Sequence, residues 1–158
     1  MEQIWAPWRI EYIEKSKEGG CILCQKPKES NDEANFILYR GQHNFVILNA
    51  FPYNPGHLLV APYQHTANLP DLTHEETVEH FDIVKKSLEL LKVTLKPAGF
   101  NIGLNIGKVA GAGIEGHLHT HIVPRWQGDT NFMPVLSDTR VLSEALTATY
   151  RRLKANLS

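Results

Sequence analysis

Cysteine is scarce: the 158-residue chain has only Cys21 and Cys24, too few for a disulfide framework and in keeping with a reducing compartment. No apolar run approaches the roughly 20 residues that span a bilayer, which excludes a membrane helix. The opening MEQIWAPWRIEYIEK puts charges and proline where a signal peptide needs an apolar stretch, so a cytoplasmic location without a membrane partner is expected. There is no surplus of positive charge. At a net charge of −1 no global basic field advertises a nucleic-acid polymer as partner, although a nucleotide-sized anion can still be held locally. Repeats, low-complexity tracts and linkers are also lacking, so residues 1–158 read as a single domain. Its ends are an aromatic arm over 1–20, carrying Trp5, Pro7, Trp8 and Tyr12, and a C-terminal helix over 137–158.

What is present starts with a polar stretch over 16–34, read as loop and short turns. Asn35–Arg40 and Asn44–Asn49 flank Gly41-Gln-His43 as a hairpin, and His57–Ala61 follows a Pro-Tyr-Asn-Pro-Gly turn. Thr73 with Glu76 forms a capping box that opens a helix. Val78, Phe81, Val84, Leu88, Leu91 and Leu95 supply its apolar stripe, and Pro97 stops it. Phe100–Ile106 alternates as a strand and His117–Val123 alternates again. A last helix is expected from about Asp138, with Val141, Leu142, Ala145, Leu146, Tyr150 and Leu153 on one face. Short-turn strands with two long helices indicate an α+β antiparallel sheet.

Three of the eight histidines fall within five residues, at His117, His119 and His121. In a strand they share one face at a spacing of about 6.6 Å. Two chemistries use such a row. One is a metal site, since imidazole is a common zinc ligand. The other is nucleophilic catalysis, in which a neutral imidazole attacks phosphorus while neighbours hold its tautomer.

Gly111-Ala-Gly113-Ile-Glu-Gly116 matches G-x-G-x-x-G, but a strand follows where a dinucleotide fold needs a helix, so that reading fails on context. The segment is a glycine loop between strands, or one whose amides at Gly111 and Gly113 approach phosphate. Cys21-Ile-Leu-Cys24 stands alone as half a zinc site, a redox pair or neither, and its polar setting lacks the strand-to-helix context of a thioredoxin motif. Trp5 and Trp8 read as packing residues, while Trp126 is open between packing and purine stacking. Arg151, Arg152 and Lys154 suit the C-terminal end of a helix dipole.

His117-Leu-His-Thr-His-Ile-Val123 resembles the histidine-triad (HIT) motif, His-φ-His-φ-His-φ-φ with φ apolar, and Thr120 departs from it at one φ position. Asn49, the Asn-Pro-Gly-His ending at His57, the Pro-Tyr-Gln-His ending at His65, Asn105 and Pro124-Arg125 fall in the order of that family. Trp-Ala-Pro-Trp-Arg near the N-terminus and Arg-Trp-Gln-Gly-Asp-Thr-Asn-Phe-Met after the triad resemble a microbial branch that includes diadenosine tetraphosphate phosphorylases and hydrolases.

The resemblance implies a homodimer, each chain an antiparallel sheet of about five strands with two main helices. It implies nucleotide or dinucleoside polyphosphate substrates, diadenosine tetraphosphate first among them. His119 would be the nucleophile that forms a nucleotidyl-histidine, His121 would orient and polarise it, and His57 would complete the cluster. Asn49 would sit near the ribose and Asn105 would face the phosphates or leaving group; with His117 and the loop glycines Gly111 and Gly113 read above, they make the expected nucleotide-binding set. Zinc-bearing bacterial relatives imply a structural zinc on Cys21, Cys24, His65 and His117, with no organic cofactor. Many family hydrolases carry glutamine and then Ser or Thr where this chain has Gly113 and Ile114, which bears on the leaving group and on water against phosphate as acceptor. The rival readings are a nucleoside phosphoramidate or aminoacyl-adenylate hydrolase, a nucleotide-binding protein of low turnover, and a metalloenzyme using the triad as ligands.

Overall fold

The computed structural model of the protein describes residues 20–131 and 142–157. Two one-turn helices, α1 (Ile22–Gln25) and α2 (Asp32–Asn35), lead into strand β1 (Ile37–Arg40). Strands β2 (Asn44–Leu48) and β3 (Leu58–Pro62) follow, then helix α3 (His74–Leu95), strands β4 (Gly99–Leu104) and β5 (Thr120–Arg125), and helix α4 (Leu146–Ala155). The aromatic arm, with Trp5, Pro7, Trp8 and Tyr12, lies outside the described residues.

The five strands make one antiparallel sheet in the order β1-β2-β3-β5-β4, which is the α+β architecture expected. Alternation along each strand divides its side chains between two faces. Val46, Leu48, Leu58, Val60 and Ile122 pack with Ile83, Val84, Leu90 and Leu91 of α3 and with Tyr150 and Leu153 of α4. Phe45, Ile47, Leu59 and Ala61 turn to the opposite face, where Leu23 of α1 covers them. Thr120 and Ile122 therefore look toward the helices, while His121, paired with Leu59 and Gly103, looks away.

The capping box opens α3 as expected: the Glu76 amide donates to Thr73 Oγ1 at 3.2 Å and the Thr73 amide donates to Glu76 Oε2 at 2.8 Å. Caps of this kind are worth about 1 kcal/mol. The helix closes on Lys96 in the left-handed region, φ 50°, just before Pro97. Its buried stripe differs from the apolar one. Val78 and Phe81 are each 47% exposed, whereas His80, Ile83, Val84, Ser87, Leu90 and Leu91 are buried. An all-apolar template misplaces the face because two inward positions are polar. His80 satisfies both ring nitrogens there, one with Asn44 Oδ1 at 2.8 Å and one with Thr120 Oγ1 at 2.7 Å.

The last helix begins later than Asp138. That residue and Val141 lie outside the described residues, and Leu142–Ala145 precede the helix in non-helical conformation. Glu144 folds back onto the first turns instead, accepting from Thr149 Oγ1 at 2.7 Å and Arg152 Nη1 at 2.8 Å. A carboxylate placed there favours the positive end of the helix dipole.

Candidate active site and metal-ligand cluster

The triad is not one uninterrupted strand. Strand β5 begins at Thr120, so of the three histidines only His121 belongs to the ladder, and His117 and His119 sit in the segment leading into it. Leaving the ladder frees the rings from a common face, and they divide between two clusters.

The first cluster gathers around His57, which is fully buried in front of β3. The turn before it needs Gly56, whose φ of +77° and close packing against Leu95 leave no room for a Cβ. His57 Nδ1 accepts the Tyr53 amide proton at 3.1 Å, so its own proton is on Nε2 and is donated to His121 Nδ1 at 2.9 Å. That fixes the neutral His121 ring with its proton on Nε2. Tyr53 lies parallel to His121, with ring centres 6.0 Å apart, and 4.6 Å from the His57 ring. The sequence reading passed over Tyr53, whose only signal was an aromatic inside a proline-glycine turn.

His119 follows the same logic. Its Nδ1 lies 2.8 Å from the carbonyl oxygen of His117, which only accepts, so Nδ1 carries the proton and Nε2 keeps its lone pair. Burial lowers the pKa of His119 against the opposing pull of that carbonyl, which keeps the ring neutral and nucleophilic. Its ring centre is 4.9 Å from that of His121.

Beyond His121 opens a cavity of about 420 Å³, bounded by Tyr53 and Asn54, by Asn101, Gly103 and Asn105 of the β4 side, and by Arg125 and Asp129–Asn131. One carboxylate organises that wall. Asp129 accepts from Arg125 Nε at 2.6 Å, Asn54 Nδ2 at 2.7 Å and the Trp126 amide at 3.1 Å, while Arg125 Nη1 donates to Asn101 at 2.7 Å. The Arg125 guanidinium holds the Asp129 carboxyl well below the usual carboxylate range. The sequence offered Arg125, Trp126 and Asp129 only as parts of a matched stretch, without their mutual bonds or the link to Asn54 and Asn101.

The remaining expected nucleotide contacts are placed as follows. Asn105 lines the cavity and its Nδ2 reaches the Gly111 carbonyl at 3.5 Å. Gly111 adopts φ +85°, a conformation suited to glycine, and Gly113 is exposed. Neither glycine lines the cavity. Asn49 is spent locally: its Oδ1 accepts the Phe51 amide at 3.0 Å and its Nδ2 lies 3.4 Å from His57 Nδ1.

His117 faces the second cluster. Its Nε2–H donates to the Pro62 carbonyl at 2.8 Å, which leaves the Nδ1 lone pair toward Cys21 Sγ at 3.3 Å, Cys24 Sγ at 3.4 Å and His65 Nδ1 at 3.3 Å. Cys24 Sγ and His65 Nδ1 are 3.2 Å apart, and the four ligand atoms all lie within 4.8 Å of one another. Tetrahedral zinc with sulfur at about 2.3 Å and nitrogen at about 2.0 Å spaces its ligands by roughly 3.3–3.8 Å, so the quartet fits that ion. Burial raises the Cys24 thiol, and Cys21 beside it adds to the effect. Burial lowers His117, so it is present as the neutral ligand a metal requires. The expected quartet is thus brought together, and both nitrogens of His117 are engaged within it and with Pro62.

Comparisons with known proteins identify the family. The HIT domain family model matches residues 30–128. An AP-4-A phosphorylase of Mycobacterium tuberculosis is 35% identical over 161 residues, covering 97% of this chain and 83% of that protein. A bis(5'-adenosyl)-triphosphatase of Saccharomyces cerevisiae is 33% identical over 92 residues, 58% of this chain and 44% of that protein. Among solved structures, a zinc-bound histidine triad family protein from Mycobacterium smegmatis superposes with a TM-score of 0.70 at 28% identity, covering 87% of this chain and 93% of that one. With the triad, the sheet order and these matches in place, the chain belongs to the HIT family.

Proposed function

We propose that this HIT protein is an enzyme that cleaves dinucleoside polyphosphates, diadenosine tetraphosphate first among them, through a nucleotidyl-histidine intermediate. The observation that carries the reading is the tautomer of His119: Nδ1–H is committed to the His117 carbonyl at 2.8 Å, so the neutral ring presents Nε2 as a nucleophile. In the first step Nε2 bonds to the α-phosphorus and the bridging P–O bond breaks, releasing the rest of the polyphosphate. His121, held by His57, orients and polarises the reacting group. Water or inorganic phosphate then attacks the phosphoramidate, which restores the free imidazole. The cavity beside His121, with Asn105, Asn54 and Arg125 in its walls, accommodates the polyphosphate and the departing nucleotide. The assignment of Asn49 to the ribose and of the loop amides at Gly111 and Gly113 to the phosphates rests on the sequence alone, since none of the three lines that cavity. The near-full-length likeness to the mycobacterial phosphorylase favours phosphate as acceptor.

Cys21, Cys24, His65 and His117 would hold a zinc ion. Zinc there ties the α1 segment to the β3 and β5 ends, a structural role, and metal thiolates suit a reducing, cytoplasmic setting. A homodimer is part of the reading, supported by β4 at the sheet edge with Ile102 46% exposed. Among the described residues no helix is long and apolar enough to cross a membrane.

Product analysis after incubation with diadenosine tetraphosphate, with and without inorganic phosphate, tests the proposal. ATP plus AMP without phosphate identifies a hydrolase, and ADP plus ATP only with phosphate identifies a phosphorylase. No cleavage in either tube overturns the substrate reading in favour of a phosphoramidate or acyl-adenylate substrate.

A further inference from the structure

Gly103 of β4 stands directly opposite His121 across the ladder. Paired residues of neighbouring strands point to the same face with Cβ atoms about 4.5–5.5 Å apart, so a side chain at 103 would stand beside the His121 ring. Asn101 and Asn105 line the cavity on either side of this bare position. The fold itself does not ask for glycine here. The φ of Gly103 lies outside the left-handed region, and a Cβ built on it meets no atom within 4 Å. At Gly56, by contrast, a Cβ would collide with Leu95. A glycine inside a strand weakens it, and one that packing does not require marks the close approach of a ligand or of another backbone. A second backbone would meet the outer edge of β4 in the plane of the sheet, through N–H and C=O groups, and needs no glycine for that. The Cβ direction leaves that plane and leads into the cavity of about 420 Å³.

The rest of the wall indicates what enters. Among the described residues its charged groups are Arg125 and Asp129, which neutralise each other at 2.6 Å. Its other polar groups are amides and hydroxyls beside His121, and Tyr53 adds an aromatic face. A neutral, hydrogen-bonding wall suits a sugar and a base better than a run of phosphates. We propose that Gly103 is a specificity-determining residue: the gap it leaves beside His121 admits the departing nucleoside of a dinucleoside polyphosphate, and a larger residue there would confine turnover to nucleotides with a small leaving group. The inference rests on the reading of this site as one that splits such substrates at His119. With diadenosine tetraphosphate, His119 Nε2 bonds to the α-phosphorus, the bridging P–O bond breaks and ATP departs. With adenosine 5'-phosphoramidate the same bond to phosphorus forms, the P–N bond breaks, and the nitrogen gains a proton from water and departs as ammonia. The retained AMP is identical in the two reactions, and only ATP has to pass residue 103.

The test is the series Gly103→Ala, Gly103→Val and Gly103→Leu in the full chain, each assayed on diadenosine tetraphosphate and on adenosine 5'-phosphoramidate. Thermal melts and sedimentation velocity follow the fold and the oligomeric state. Because an added Cβ meets no protein atom, the variants should fold with an unchanged or higher Tm. On diadenosine tetraphosphate, kcat/KM should fall in order of size, by about 10-fold for Gly103→Val and about 100-fold for Gly103→Leu, with the phosphoramidate kept within about threefold of wild type. Calorimetry in the His119→Gly background reads the same contrast without turnover. There Gly103→Leu should weaken diadenosine tetraphosphate by about 10-fold or more and leave the Kd of AMP within about threefold. Equal losses on both substrates, undiminished cleavage or binding of diadenosine tetraphosphate by folded Gly103→Leu, or losses that track a change of oligomeric state overturn the inference while leaving the substrate reading intact. A wild type that neither cleaves diadenosine tetraphosphate nor binds it more tightly than AMP overturns the substrate reading itself, and the role of Gly103 falls with it.

Discussion

His57 donates its Nε2–H to Nδ1 of His121 across 2.9 Å, one ring standing just before β3 and the other in β5. The antiparallel pairing of those strands sets Leu58 opposite Ile122 and Leu59 opposite His121, so the ladder itself brings the rings into reach. Removing the donor leaves a buried acceptor unpaired. His57→Leu should lower kcat by roughly 10- to 100-fold, the scale of an orienting partner. It should also cost about 1–3 kcal/mol of stability for the unpaired nitrogen. Steady-state kinetics with a parallel urea melt check both, and an unchanged kcat would separate His57 from the reaction.

His119→Gly removes the nucleophile without touching the His57–His121 bond. Turnover of diadenosine tetraphosphate should fall by roughly a thousandfold or more, with the fold retained. Reactions of the wild type with labelled substrate, quenched in alkaline denaturant because the P–N bond is acid-labile, should trap a nucleotidyl-protein that the variant lacks. Retention of full turnover in the variant would remove His119 from the nucleophile's role.

Asp129→Ala breaks the carboxylate that gathers Arg125, Asn54 and the Trp126 amide on the cavity wall. Neither reacting ring depends on it, so the effect should fall on binding. KM should rise by roughly 10-fold with kcat changed much less, because a loosened wall misplaces substrate before chemistry. Equal losses in kcat would place Asp129 in the chemical step.

His80 links acid sensitivity to the back of the active-site strand. It is buried between Asn44 and Thr120, and burial pushes its pKa down to about 4, against the raising influence of Glu79. From pH 6.5 down to about 4 the unfolded chain therefore binds the proton that the folded chain refuses. Stability rises with pH through that window, and acidification from 6.5 to 4 removes about 3 kcal/mol at this one site. Glu79, which burial raises but the Asn44 side-chain amide and the His43, Gln42 and Asn44 backbone amides together hold below its usual range, adds a further loss in acid. His80→Leu should cost about 1–3 kcal/mol at pH 7 through the unpaired Asn44 and Thr120 oxygens. It should also lose less than wild type between pH 7 and 5, by about 2 kcal/mol, in urea melts at the two pH values. Identical acid losses would assign the effect to the carboxylates alone.

Thr120 shows how a departure from a motif acquires a reason in three dimensions. As a φ position it reads as an imperfection, yet its side chain turns to the helix face and meets His80 at 2.7 Å. The same pairing explains why the apolar stripe of α3 was misread. A helix template counts apolar residues and discards a histidine, although a histidine with both nitrogens bonded is as buried as a leucine.

The sequence alone determined the local and the periodic. Strand alternation, the capping box at Thr73 and Glu76, the turn ending at Gly56 and the histidine spacing depend on near neighbours, which is why the α+β sheet and its two main helices were legible. Resemblance to a family, rather than short-range pattern, supplied the quartet Cys21, Cys24, His65 and His117 and the roles proposed for His57, His119 and His121. Tertiary structure decided what each ring does. Whether His117 faces Cys21 or the cavity depends on where the ladder stops, and β5 stops short of it at Thr120. Which nitrogen of His119 carries the proton depends on a carbonyl two residues back that an ideal strand would have committed to its neighbour. The roles of Tyr53, Asp129 and His80 rest on contacts between segments far apart in the chain. Such contacts follow no short-range pattern, because the strand crossover that brings β5 between β3 and β4 sets them.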